Sequence, residues 1–253
     1  NGGIAVDTWG RTNIPGIYAV GEASGTHGVT RPGGSALNAG QVFGTRVAEH
    51  IGAGDTAKSP SQEDVAPFAQ TALDAIEATF AESSDLTWKD VRTEVQARMS
   101  DHAGILCTAA DVAKARAEAA VRNGSIRKKG LSFARGNEAA RVLQWQQMAL
   151  ASEAVLTALD HYISNGGGSR GARAICDPEG DALPHSVNGP ITDARFRAER
   201  DADKSSQLRV RLENNQFTVT EQPNRAYDGD KSFFERDWPA WLTGRIYDHG
   251  SEA

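Results

Sequence analysis

The stretch from residue 142 to residue 168 constrains the fold most. Val142, Trp145, Met148, Ala149, Ser152, Val155, Leu156, Leu159 and Ile163 recur at steps of three and four, and Gly166-Gly167-Gly168 follows them. That spacing marks one face of a long helix, and the glycines stop it. A helix with a single apolar stripe must bury the stripe against another element.

Three shorter patterns supply partners. Val65, Phe68, Ala69, Ala72, Leu73, Ile76 and Phe80 mark one helical face, and Trp88, Val91, Val95 and Met99 mark another, with Thr87 as N-cap. An alanine-rich helix runs from Asp111 through Val121 and is predicted to stop at Asn123-Gly124. Antiparallel packing of these helices buries the stripes most simply, so residues 60–165 are predicted to form a helical bundle and the independent core.

The flanks read differently. Ile4-Ala5-Val6 is a short strand candidate, Gly10-Arg11-Thr12 and Asn13-Ile14-Pro15-Gly16 are turns, and Ile17-Tyr18-Ala19-Val20 reads as a fully buried strand ended by Gly21. From Ser35 to Ile51 the pattern is helical, with Leu37, Val42, Val47 and Ile51 among small residues. Residues 166–253 are a polar tail. Within it, Leu208, Val210 and Leu212, then Phe217 and Val219, alternate with polar residues around Asn214-Asn215, which predicts a β-hairpin over about residues 207–221. The aromatic-rich stretch from Phe233 to Tyr247 is expected to lie back over a hydrophobic surface. The fold class is mainly α with a smaller α/β piece.

Several functions are disfavoured. A net charge of -6 gives no basic footprint for nucleic acid. No apolar run reaches the roughly 18 residues that span a bilayer, and no signal segment opens the chain. Cys107 and Cys176 are too few for a disulfide scaffold and form no metal-type pair, so a reducing cytoplasm is the expected location. Asn123-Gly124-Ser125 matches a glycosylation sequon but reads as a turn. Gly166 to Gly171 formally matches G-x-G-x-x-G, yet a helix rather than a strand precedes it, so it is not a dinucleotide site. Asp177-Pro178-Glu179-Gly180-Asp181 lacks the ligand ladder of a calcium loop and reads as a solvated turn. No two histidines stand four apart as a metal pair.

Chemistry concentrates between residues 22 and 37. Glu22 follows the end of the predicted buried strand, where α/β sheets face their ligands, so its carboxylate either accepts hydrogen bonds from a nucleotide or flavin polyol or caps the local chain. Arg31 precedes Pro32-Gly33-Gly34, and its planar fork suits a carboxylate, with a surface ion pair as the alternative. The helix that opens at Ser35-Ala36-Leu37 offers amide groups and a positive dipole end. A cation and a helix start spaced by two glycines make an anion site, which on physics alone specifies no particular anion.

The combination GGIAVDTWGRTNIPGIYAVGEASGTHGVTRPGGSALNAGQVFG, residues 2–44, resembles the last flavin-domain segment of the succinate dehydrogenase/fumarate reductase flavoprotein family, which includes L-aspartate oxidase. MSDHAGIL at 99–106 and SRGA at 169–172 resemble that family's C-terminal helical domain in the same order. The resemblance implies that residues 1–54 are the C-terminal segment of an FAD-binding domain. It implies that Glu22, Ser35, Ala36 and Leu37 contact FAD, that Arg31 binds a substrate carboxylate, and that His27 lines the same pocket without direct chemistry. The implied reaction is hydride transfer between flavin N5 and a carboxylate substrate. Thr30-Arg31-Pro32 and Ser35-Ala36-Leu37 stand where the family has Asn-Arg-Leu and Asn-Ser-Leu, and Arg173 follows SRGA where the family commonly has His, which leaves the substrate open.

The family's pyrophosphate-binding glycine loop, its capping domain and its second substrate histidine have no counterpart here. The chain is therefore expected to be a C-terminal part of an FAD-dependent oxidoreductase, inactive and without FAD by itself, and able to pair with a second copy through unpaired strand edges. The rival reading is a non-catalytic helical interaction module with a relic flavin segment. An iron–sulfur or other electron-transfer partner is implied, and it must supply its own cluster ligands. Through such partners the protein would lie peripherally on the inner face of a membrane.

Overall fold

The computed structural model describes residues 2–27, 34–54, 60–80, 84–171, 173–182, 189, 193–224 and 233–245. The chain divides into two compact units, one of residues 1–59 with 225–253 and one of residues 60–224.

The larger unit is built on three helices: α3 (Trp88–His102), α4 (Ala109–Lys129) and α5 (Ala139–Ser164). Thr87 caps α3, as the sequence predicts, and the structure adds a reciprocal pairing with Asp90. Arg116 of α4 meets Asp160 of α5 at 3.1 Å, and Asn123 meets Ala149 at 3.1 Å, so the two helices run antiparallel. Apolar residues bury in two clusters. Val112, Ala115, Leu156, Ile163 and Ile175 belong to one, and Val91, Val95, Ile126, Leu131 and Val142 to the other, with Met99 packed against both.

Helix α4 does not stop at Asn123-Gly124. It continues to Lys129 because Asn123 turns inward and its amide is satisfied within the bundle. Termination falls to Gly130 at φ 65°, after Arg127, Lys128 and Lys129, whose charges suit the C-terminal dipole. On α5 the predicted stripe buries Val142, Ala149, Ser152, Leu156, Leu159 and Ile163, whereas Met148 and Val155 face out.

Helix α2 (Gln62–Glu77) forms with a Ser61–Asp64 capping box, but it buries none of its residues, and Phe68 is 78% exposed. The expectation that its stripe joins the core is therefore corrected for Val65 to Ile76, whereas Phe80, just beyond the helix, packs against the second cluster. Periodicity places apolar groups on one face and does not supply what covers them.

A small sheet follows the helices. β1 (Leu106–Cys107) pairs in parallel with β2 (Ala174–Ala182), which pairs antiparallel with β3 (Arg195–Phe196). Cys176 and Asp181 both pair with Phe196, so residues 177–180 bulge out of β2 with Glu179 N–H donating to Asp177 Oδ1 at 3.0 Å, and Asp177 also holds Arg197 at 2.8 Å. Among the described residues no group of His, Cys, Asp and Glu is arranged for a metal ion. The hairpin of β4 (Ser206–Glu213) and β5 (Gln216–Pro223) has the predicted turn: Asn214 and Asn215 take φ 49° and 63°, the left-handed pair of a tight two-residue hairpin.

In the smaller unit, α1 (Ser35–Gly54) is the predicted helix, but of its apolar positions only Val47 is buried. The two predicted strands before it are extended chain without a ladder. Ile4 N–H donates to Ala23 C=O at 2.7 Å, and Tyr18 makes a single bridge to Arg11 while Ile17 stays 50% exposed. A strand exists through its partners, and among the described residues the second segment pairs across only with Gly10 to Thr12, through Thr12 N–H to Ile17 C=O and Ala19 N–H to Gly10 C=O. Near the end, α6 (Trp238–Leu242) stacks Trp238 on Trp241, and the Trp241 indole donates to Glu49 of α1 at 3.1 Å. Both tryptophans remain about 40% exposed. No helix among the described residues is long and apolar enough to cross a membrane.

Candidate functional site

The local chain around Glu22 is fixed by close backbone approaches that only glycine permits. A Cβ on Gly3 would stand 2.4 Å from Gly25 N and 2.5 Å from Ala23 O. Gly21, at φ 63°, opens a 3-10 turn over Gly21–Ser24, and its side-chain position lies 3.4 Å from Gly40 Cα. The turn thus packs glycine to glycine against α1. Ser24 Oγ donates to Gly21 C=O at 2.8 Å and Gly25 closes the turn in the left-handed region.

This turn presents Glu22 outward, with its side chain 65% exposed. Beside it, His27 is buried to 2% side-chain exposure, and its Nε2 lies 3.9 Å from Glu22 Oε2. That distance is too long for a hydrogen bond, and Nε2 has no hydrogen-bond partner among the described residues. Across Gly34, at φ 83°, the chain enters α1. The first helical bond runs from Asn38 N–H to Gly34 C=O, so the amides of Ala36 and Leu37 precede the ladder and lie at the positive end of the dipole. Leu37 is 77% exposed. The structure thus gives Glu22, His27, Ser35, Ala36 and Leu37 definite places around one short turn and one helix start. Arg31 lies outside the described residues.

Sequence reasoning missed the support beneath this corner. Asp7 Oδ1 accepts from the N–H groups of Trp9 and Arg11 at 2.8 and 3.0 Å, and its Oδ2 accepts from Arg11 Nε at 2.6 Å. Burial opposes the Asp7 charge, but these hydrogen bonds, led by the Arg11 side chain, hold its carboxyl below the usual range. Trp9 then stacks on His50 of α1 at 5.1 Å, with the Arg46 guanidinium 4.3 Å from the same indole. The Asp-x-x-x-Arg spacing was the only visible signal. The pairing of Trp9 with residues on α1 has none in a single sequence.

Comparison with known proteins agrees with the resemblance read from the motifs. Residues 1–37 match the family model of the FAD binding domain, ending inside the first turn of α1. The chain is 50% identical over 52 residues to an L-aspartate oxidase of Bacillus subtilis, covering 20% of this chain and 10% of that protein. It is 48% identical over 65 residues to a protein of the fumarate reductase (CoM/CoB) of Methanothermobacter marburgensis, covering 25% and 12%. An L-aspartate oxidase of Streptomyces coelicolor matches at 32% over 117 residues, 46% of this chain and 19% of that one. Among solved structures, the FrdA chain of E. coli quinol fumarate reductase superposes with a TM-score of 0.68 at 19% identity, covering 89% of this chain and 36% of that chain. At that identity the likeness shows the fold. The chain therefore spans only about a tenth to a fifth of these curated relatives and about a third of the structural one.

Proposed function

We propose that this chain contributes the C-terminal part of the flavin site of an FAD-dependent oxidoreductase, one that moves a hydride between the flavin and a carboxylate substrate. The observation behind the reading is the juxtaposition just described. An exposed carboxylate at Glu22, the buried imidazole of His27, whose Nε2 has no hydrogen-bond partner among the described residues, and the start of α1 all fall within the stretch that the FAD binding domain model matches, which supports the reading.

The residues present suit the cofactor. Glu22 is an outward-facing hydrogen-bond acceptor on a 3-10 turn, suited to polyol hydroxyls. The amides of Ala36 and Leu37, with Ser35 before them, offer donors and a dipole that favours negative charge on a ring held there. FAD, when bound, supplies the ring that takes or gives the hydride. The chain's own work is to orient that ring, to favour its anionic reduced form and to place the substrate. Arg31 is assigned the substrate carboxylate, which its planar fork holds in two parallel hydrogen bonds. The imidazole of His27 walls the pocket on the Glu22 side.

By itself the chain is proposed to be inactive. Electrons would pass to a separate iron–sulfur or similar partner, because two cysteines cannot hold a cluster. Such a partner would set peripheral association with a membrane from a reducing compartment. Pairing of two copies through exposed chain edges is assayed by light scattering. The match of residues 1–37 to an FAD binding domain weighs against a purely structural interaction module.

The test is made in the flavin-loaded full-length protein. Arg31→Ala should raise the apparent KM for dicarboxylates and weaken competitive dicarboxylate inhibitors at least about tenfold, with flavin content unchanged. Arg31→Lys should rescue only partly, since an ammonium lacks the fork. Loss of flavin in step with loss of carboxylate binding overturns the assignment.

A further inference from the structure

The helical unit carries a cationic groove that the flavin reading does not use. Two adjoining clefts, of about 360 and 630 Å³, share Trp88 and Arg141 as walls. Their linings include the cations Lys89, Arg92, Arg135 and Arg141, and Glu138 as the acidic residue. Glu138 is already engaged: it accepts from the Ala134 N–H at 3.0 Å and lies 3.9 Å from Lys89 Nζ. An excess of positive charge therefore collects here on a chain whose net charge is -6.

The two central arginines are held without being neutralised. Arg92 Nε donates to Gln96 Oε1 at 3.3 Å, and Arg141 Nη1 donates to Gln144 Oε1 at 2.9 Å. Neither has a carboxylate within ion-pair distance among the described residues. Elsewhere in the same unit Arg116, Arg122, Arg170, Arg197 and Arg200 each meet one. A glutamine oxygen fixes the direction of a guanidinium and leaves its charge available. Between them stand two half-buried indoles, with Arg92 6.0 Å from the Trp145 ring and Lys89 5.5 Å from the Trp88 ring. Thr87 and its capping box lock the start of α3, whose first turn carries Trp88 and Lys89 and whose second carries Arg92.

We infer that this groove docks an acidic segment of a partner protein, in which carboxylates meet Arg92 and Arg141 and an aromatic or aliphatic side chain between them lies on Trp88 and Trp145. Charge complementarity selects carboxylates. Two flat apolar walls between the cations select a peptide over a simple anion, which would fill one fork and leave both indoles bare. Tryptophan and arginine together are the residue types that dominate protein interfaces. The net negative charge of the chain disfavours a polynucleotide as the occupant. This inference stands apart from the flavin site, since it uses no residue of the smaller unit.

The experiment uses the whole chain and a short fluorescein-labelled peptide alternating glutamate with phenylalanine. Binding is read by polarisation and by the tryptophan emission of Trp88 and Trp145. The expected result is saturable binding that weakens with salt, and about a tenfold or greater loss of affinity in the double variant Arg92→Gln/Arg141→Gln. Arg127→Gln, an exposed change in the last turn of α4, should leave binding unaltered. Arg141→Lys keeps the charge and should lose less than Arg141→Gln. Far-UV circular dichroism checks that the variants fold, and because both arginines lie on the surface the single variants report if the double one melts. Equal binding of the glutamine-for-glutamate peptide overturns the inference, as does wild-type affinity in the double variant. Full displacement of the peptide by inorganic phosphate, or stronger binding to phosphatidylglycerol vesicles than to the peptide, overturns it in favour of a small anion or a lipid surface.

Discussion

Asn123 offers the sharpest test of how the helical unit is held together. Its side-chain amide is 4% exposed and donates twice, to Ala149 C=O at 3.1 Å and to Glu153 Oε2 at 2.6 Å. Glu153 is itself 7% exposed, so its carboxyl group has little water to fall back on. Asn123→Leu fills a similar volume and removes both donors. The hydrogen bond to the carboxyl contributes roughly 1.5–3 kcal/mol and the one to the carbonyl about 1 kcal/mol. The extra apolar contact of leucine offsets part of this, leaving a net loss of about 2–3 kcal/mol. With a urea slope near 2 kcal/mol per molar, the unfolding midpoint falls by about 1–2 M.

The assay is equilibrium urea unfolding followed by far-UV circular dichroism and tryptophan emission. The companion variant Asn123→Leu/Glu153→Leu removes the stranded carboxyl as well and should recover part of the lost stability, because an apolar pair needs no partner. Two results refute the reasoning: a loss below about 1 kcal/mol in Asn123→Leu, which would mean water replaces the amide, or strict additivity of the two substitutions, which would mean the side chains do not act together.

Three further outcomes follow from the same structure. Gly124→Ala should stabilise the unit by about 0.5–1 kcal/mol, seen as a higher urea midpoint, because the residue lies inside α4 and an added Cβ meets nothing within 4 Å. Cys107 is 1% exposed and burial pushes its thiol pKa up, with Arg173 opposing the shift and Cys176 adding to it, so dithionitrobenzoate at neutral pH should label Cys176 quickly and Cys107 only on unfolding. Gly3→Ala should release flavin from the full-length protein more readily than Gly2→Ala, since its Cβ collides with the backbone of the Glu22 turn while that of Gly2 meets nothing within 4 Å.

Much of the architecture was legible because it is written locally. Thr87 stands before an apolar run as an N-cap, and the structure shows it capping α3 together with Asp90. Asn214-Asn215 between alternating segments marks a turn that few residues other than asparagine and glycine adopt, and both take left-handed angles. The errors arise where distant partners decide. Asn123-Gly124 looks like a helix stop because both residues are poor helix formers in isolation. In the fold, Ala149 and Glu153, 26 and 30 residues away, occupy the amide that would otherwise compete with the helix. Ile17 to Val20 looks like a buried strand because the residues are apolar, yet a lone run cannot hydrogen-bond itself, and among the described residues only the short segment Gly10 to Thr12 pairs with it.

The same distinction separates what the stripes on α1 and α2 say from what they leave unsaid. Their periodicity is real: both helices form where it predicts. Yet Leu37 and Phe68 are more than three-quarters exposed, and Val42, Leu73 and Ile76 are far from buried. On α5 an equally regular stripe is covered because α3 and α4 pack against it. An amphipathic face states that a partner surface must exist, at about 25 cal/mol for each Å² it would cover, and nothing in the spacing says which surface. The candidate flavin corner shares this property. The Glu22 turn and α1 are placed by contacts within the chain, glycine on glycine and the Trp9 indole on the His50 imidazole, while what the corner offers is defined by chemistry alone: an exposed carboxylate at Glu22, a buried His27 nitrogen without a hydrogen-bond partner among the described residues, and a positive dipole end. Those groups were readable in the sequence as residue types, and the burial of His27 beside an exposed Glu22 required the fold.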